Sequence, residues 1–138
     1  MQGKEYNIST EEEQKLLKDL EKREDSDALR MKRYLSMPDL SRTEGSPIKA
    51  LIDKIKNVEG LKDFDDINVP EVVPYTVNFD LFNFPADHPS RSHSDTYFVN
   101  DKNILRTQTT VSWYYYLTSD FGKEKVKISC RTRKTVHA

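Results

Sequence analysis

The chain predicts an α+β fold, on three observations. The first third is charged and helix-forming. An amphipathic helix follows. Short alternating apolar segments then read as part of an antiparallel sheet that this helix flanks. At 138 residues, with 36% hydrophobic and 33% charged content, the chain has the size of one domain. The pattern divides it into a helical arm and loop over residues 1–45 and a helix-plus-sheet portion over 46–138.

The elements follow in order. Thr10-Glu-Glu-Glu13 has capping-box spacing, a hydroxyl with a carboxylate three residues on, and Leu16, Leu17 and Leu20 form a narrow stripe behind it. Residues 21–27 carry no apolar side chain, so this helix is expected to fray or project into solvent. Asp25 or Ser26 starts a second short helix with Ala28, Leu29 and Met31. Pro38 and Gly45 make residues 37–46 a loop. Ser46 then caps, and Pro47 suits a first helical position, because its missing N–H has no partner there anyway. Ile48, Leu51, Ile52 and Ile55 share one face of a helix over 47–59 that Gly60 ends. Val73, Tyr75, Val77 and Phe79 alternate, which predicts a strand over 72–80. Strands are also expected at 97–99, 104–109 and 125–130, with Asn100-Asp-Lys-Asn103 as a hairpin turn. Residues 111–117 read as a buried helix in which Trp113, Tyr116 and Leu117 lie three and four apart.

Composition excludes little. The net charge of −1 supplies no global field for nucleic acid. A lone Cys130 cannot form an internal disulfide, so a reducing cytoplasm is the simple reading. The polar start shows no signal peptide, and no apolar run nears the roughly 20 residues that span a bilayer. There is no phosphate-binding Gly-rich loop with Lys, no Gly-x-Ser-x-Gly elbow and no Cys/His nucleophile pair in a recognisable setting.

The informative stretch is Pro85-Ala-Asp-His-Pro-Ser-Arg91, then Asp95-Thr-Tyr-Phe98, then Leu105-Arg-Thr-Gln-Thr-Thr110. Read as residues, His88 is a general base, a metal ligand or a hydrogen-bonding residue that fixes the loop. With only His93 nearby, a metal centre lacks the three or four ligands that zinc takes. Arg91 and Asp95 are close enough in sequence to pair, or are ordinary loop charges. Phe98 reads as core. On a strand, Gln108 and Thr110 share one face, which could be a solvated face or a pair of polar groups for a ligand, while Arg106 points the other way and braces the fold.

These motifs, in this order, resemble the catalytic core of the phenylalanyl-tRNA synthetase α subunit, a class II aminoacyl-tRNA synthetase. The resemblance runs over about residues 36–130. It implies part of a class II synthetase antiparallel sheet over 46–138. The helix before Pro70 resembles motif 1, which implies a subunit interface. Phe98 is then a wall of the phenylalanine pocket, Gln108 and Thr110 hold the amino end of the substrate, and the loop with His88 and Arg91 shapes the site. Lys127-Ile-Ser-Cys-Arg-Thr-Arg133 begins like motif 2, although the family's Gly and aromatic are missing; Arg133 is its candidate catalytic clamp on the ATP phosphate.

The implied activity is ATP-dependent activation of phenylalanine and transfer to tRNA(Phe). Its cofactors are ATP and Mg²⁺, no resident metal ligands are expected, and the partner is a β subunit in an α₂β₂ assembly in the cytoplasm. The sequence stops at Ala138 before the remaining motifs, so the isolated chain is expected to be inactive, with an exposed sheet edge. A non-catalytic truncated paralogue or interaction module is the alternative. A class II relative that activates another amino acid is a third reading.

Overall fold

The computed structural model describes residues 3–120. In chain order the elements are β1 (Glu5–Asn7), α1 (Glu11–Glu21), α2 (Ser26–Leu35), α3 (Pro47–Lys56), β2 (Asp66–Asn68), β3 (Val72–Pro74), α4 (Tyr75–Asn78), β4 (Phe98–Asn100), β5 (Asn103–Leu105) and α5 (Val111–Thr118). Two 3-10 turns, Asp80–Phe82 and Pro89–Arg91, lie between α4 and β4. The strand expected at 125–130, with Cys130, falls outside the described residues.

The helix starts follow the local chemistry. The Thr10 hydroxyl accepts from the Glu13 amide, the Asp25 carboxylate from the Ala28 amide, and the Ser46 hydroxyl from the Ile48 amide ahead of Pro47. The Glu13 carboxylate does not reach back to complete a capping box. It accepts from the amides of Glu71 (2.9 Å) and Val72 (3.1 Å), and so caps the start of β3. Burial raises the Glu13 pKa above its ordinary value, against the pull of those two amides.

The first two helices do not project into solvent. Leu20, Ala28 and Met31 are buried in a cluster with Val72 and Val99, on one side of the sheet. The charged link 21–27 stays outside while Arg23 donates to the Val99 carbonyl at 2.6 Å, pinning the turn to β4. The second cluster gathers Ile67, Val69, Val73, Phe79, Ile104, Val111, Tyr115 and Tyr116.

β3, β5 and β4 form an antiparallel sheet in that order, with Val73 opposite Ile104 and Phe98 also opposite Ile104 across an irregularity between Phe98 and Asn100. The Asn100 side chain accepts from the amides of Lys102 and Asn103, both at 2.9 Å, and closes the expected hairpin. β1 pairs with β2 in parallel, a ribbon the sequence pattern did not indicate. Gly3 makes that approach possible: a Cβ there would lie 1.8 Å from the Phe64 carbonyl oxygen.

Three further expectations change. The strand over 72–80 ends at Pro74, where a helical turn begins: the Tyr75 amide donates to the Lys102 carbonyl, and the Phe79 amide to the Tyr75 carbonyl. Positions 75 and 79 are four apart, which satisfies a strand's period and a helix's alike. The strand over 104–109 stops at Leu105. α5 is a helix, but it is rotated from the expected stripe. It buries Val111, Ser112, Tyr115 and Tyr116 and leaves Trp113 and Leu117 exposed.

Candidate functional site

The short helix α4 is the hub of the motif region. Tyr75 and Phe79, one turn apart, put their rings edge to face with centroids 5.0 Å apart. Phe98 packs 5.8 Å from Tyr75, Phe84 lies 5.5 Å from Phe79, and His88 lies 5.0 Å from Phe84. His93 stacks on Phe98 with centroids 3.9 Å apart and planes 21° apart. Six rings thus run in series from His93 to His88.

Arg91 lies alongside that row with its side chain 10% exposed. Its guanidinium carbon is 5.3 Å from the Tyr75 centroid and 5.4 Å from that of Phe79. It donates to the Asp80 carboxylate at 2.6 Å and to the Phe84 carbonyl. The Tyr75 hydroxyl, with Asp80, holds the guanidinium above its ordinary pKa. The partner suggested by sequence spacing was Asp95, which instead accepts from the Ser94 hydroxyl at 3.1 Å. Asn83 takes a left-handed conformation (φ 57°) after the Asp80–Phe82 turn, and with that reversal the partner comes from eleven residues upstream.

His88 fixes the loop by hydrogen bonding. Its Nδ1 accepts from the Ser90 amide at 3.2 Å and caps the Pro89–Arg91 turn. Thr96 is buried and donates to the Ser90 carbonyl at 2.5 Å, tying the far end of the loop back.

Gln108 and Thr110 do not share a strand face, because β5 has ended three residues before Gln108. The cause is Asn78, which is fully buried on α4 and needs partners for its amide. Its Nδ2 donates to the Thr107 hydroxyl at 2.8 Å, and its Oδ1 accepts from the Thr107 amide at 3.1 Å. The Gln108 Nε2 donates to the Asn78 carbonyl at 2.5 Å. These bonds draw residues 107–108 onto α4 instead of along the ladder. Thr110 is the N-cap residue of α5, exposed, with no side-chain capping bond. Arg106 braces the fold as expected: its Nε donates to the Pro70 carbonyl at 3.2 Å. Arg133 lies outside the described residues.

The structure therefore brings Phe98, His88 and Arg91 to one aromatic row on α4, and ties Gln108 to the same helix through Asn78. Sequence reasoning missed Tyr75, Asn78, Phe79, Asp80 and His93 as members of this region. The signal available was the four-residue spacing of Tyr75 and Phe79. A cavity of about 360 Å³ lies elsewhere, lined by Glu5, Arg42, Lys49, Lys56 and Asp66 among others. Its charges pair with one another, Arg42 with Glu5 at 3.0 Å and Lys49 with Asp53 at 2.7 Å. Among the described residues no cluster of three or more His, Cys, Asp or Glu is placed to hold a metal, and no helix is long and apolar enough to cross a membrane.

The family described as tRNA synthetases class II core domain (F) matches residues 32–133, and the chain belongs to that family. Within it, the chain is similar to phenylalanine–tRNA ligase alpha subunits. That of Aquifex aeolicus is 36% identical over 115 residues, covering 78% of this chain and 34% of the relative. Those of Fusobacterium nucleatum and Mycoplasmoides gallisepticum are 37% and 38% identical over 78 residues, each covering 55% of this chain and 23% of the relative. The chain thus spans about a quarter to a third of the length of these relatives. No solved structure gives a significant match.

Proposed function

We propose that the chain supplies one wall of the amino-acid site of a phenylalanine–tRNA ligase alpha subunit. That enzyme uses ATP and Mg²⁺ to activate phenylalanine, releases pyrophosphate and passes the aminoacyl group to tRNA(Phe). It works in the cytoplasm with a β subunit in an α₂β₂ assembly. The observation that carries the reading is the ring row at Phe98, in which the motif residues Phe98 and His88 join Tyr75, Phe79, Phe84 and His93. A phenyl side chain gains from apolar burial and from edge-to-face or offset contact with such rings, about 0.5–1.5 kcal/mol per pair beyond area.

Each residue has a role in this reading. Phe98 meets the substrate ring. The Gln108 amide NH₂ is committed to the Asn78 carbonyl, so its oxygen is the part left to accept from the substrate ammonium. Thr110 offers a hydroxyl to the same end. His88 and Arg91 hold the loop that carries Phe98, so they act as positioning residues. Arg133 would clamp the ATP phosphate as negative charge shifts in the transition state, and Mg²⁺, when bound with ATP, would supply further neutralisation. The uncovered apolar face of α3, with Ile48, Leu51 and Ile55 all exposed, is a surface for a neighbouring subunit.

Equilibrium dialysis of L-phenylalanine and L-leucine against the chain tests the site. Phenylalanine is expected to bind in preference, and Phe98→Ala and Gln108→Ala each to weaken it. Equal binding of both ligands, or variants that bind as well as the wild type, would sink the reading.

A further inference from the structure

The least expected contact in the molecule is His93 on Phe98. Ring pairs ordinarily sit with centroids about 4.5–7 Å apart. At 3.9 Å and 21° the imidazole lies flat against the phenyl face, closer than that range, and no third ring fits between them. Phe98 is half-buried, and its other ring neighbour, Tyr75, stands 5.8 Å away at a tilt of 33°. His93 thus covers one flat face of the half-buried Phe98 ring.

The imidazole is free to leave without moving the loop. The Asp95 and Thr96 amides donate to the Ser92 carbonyl at 3.2 and 3.0 Å, and the Ser92 and Ser94 hydroxyls pair at 2.7 Å. The backbone on both sides of His93 is therefore held, while the His93 residue itself is exposed. Rotation about its side-chain bonds uncovers Phe98, and rotamer exchange of exposed side chains is fast.

We propose that His93 is a displaceable cover on Phe98, holding the place that an incoming aromatic ring takes. The inference rests on the reading of Phe98 as a ring-binding wall. An aromatic ligand then competes with an intramolecular one. Its apparent affinity is its intrinsic affinity multiplied by the fraction of molecules in which His93 has swung away. The stack itself sets that fraction, and one aromatic pair corresponds to about a two- to tenfold effect on binding.

The test is NMR on the histidine-labelled chain, with His93 assigned through His93→Ala. In the free protein the His93 ring protons are expected upfield, under the Phe98 ring current, and Phe98→Ala is expected to remove that shift. Added L-phenylalanine is expected to return the His93 signals toward their solvent positions while His88 stays put. His93→Ala is expected to bind L-phenylalanine about two- to tenfold more tightly than the wild type, and His93→Phe no more tightly. Binding that leaves the His93 signals in place, or a His93→Ala affinity equal to that of the wild type, overturns the cover alone. Absence of binding to both proteins while the upfield shift persists overturns the reading of Phe98, and the cover with it.

Discussion

Arg91 reaches back to Asp80, 2.6 Å away, and its guanidinium packs against the rings of both Tyr75 and Phe79. One side chain thereby locks the motif loop onto α4. Lysine has neither the planar face nor the fork. Arg91→Lys is expected to lower the melting temperature, and Arg91→Ala to lower it further and release the upfield shift of the His93 signals. Differential scanning calorimetry with NMR checks both; an Arg91→Lys protein that melts with the wild type would contradict the lock.

Met31 is fully buried against the sheet, so the N-terminal helices are expected to unfold with it. Met31→Ala should cost about 2–5 kcal/mol. Urea denaturation followed by both far-UV CD and Trp113 fluorescence should show one shifted transition. Two separated transitions would mean that α1 and α2 fold apart from the rest.

Stability should respond to acid in two opposite senses. The Arg23 guanidinium and the Ala28 amide hold Asp25 down to about 2. Its stabilisation is present above the ordinary value of 3.8 and is lost as pH falls toward about 2. Glu13 runs the other way. Its folded pKa is raised by burial, so the folded state keeps the proton longer, and its contribution declines as pH rises through the shifted value above 4.5. Denaturation midpoints across pH 2–7 in Asp25→Asn and Glu13→Gln proteins should flatten the acid limb in the first and the higher limb in the second.

Gly3 allows no side chain, because a Cβ would overlap the Phe64 carbonyl. Gly3→Ala is expected to cost more than about 1 kcal/mol and to open the β1–β2 ribbon. Hydrogen exchange at the Ile8 amide, which donates to the Asn68 carbonyl at 2.8 Å, reports that opening directly.

The α3 stripe is exposed, so polar substitution there should leave the fold intact. Leu51→Ser with Ile55→Ser is expected to change stability by no more than about 0.5 kcal/mol per site. If a subunit covers this face, the same pair should abolish association in sedimentation velocity. Unchanged association would assign the contact to another surface.

The helices were legible because their signals are local: Thr10, Asp25 and Ser46 cap where their spacing says they should. The strands were less so. Three-residue strands such as β3 and β5 leave too little pattern to fix an end, and Tyr75 and Phe79 fit both periods. The motifs singled out Phe98, His88 and Arg91, which the structure gathers at one ring row. They could not reveal Asp80, whose approach depends on the reversal at Asn83, nor the pull of buried Asn78 on Gln108. Those are long-range demands for hydrogen-bond partners, and they carry no periodic trace.

The parallel pairing of β1 with β2 joins residues about sixty positions apart, as with the Asn68 side chain that donates to that of Asn7. A chain emerging from the ribosome cannot make this contact until the second partner has cleared the exit tunnel. β1 must then wait, unzipped, through the synthesis of three helices, and closing so large a loop is slow compared with forming any of them.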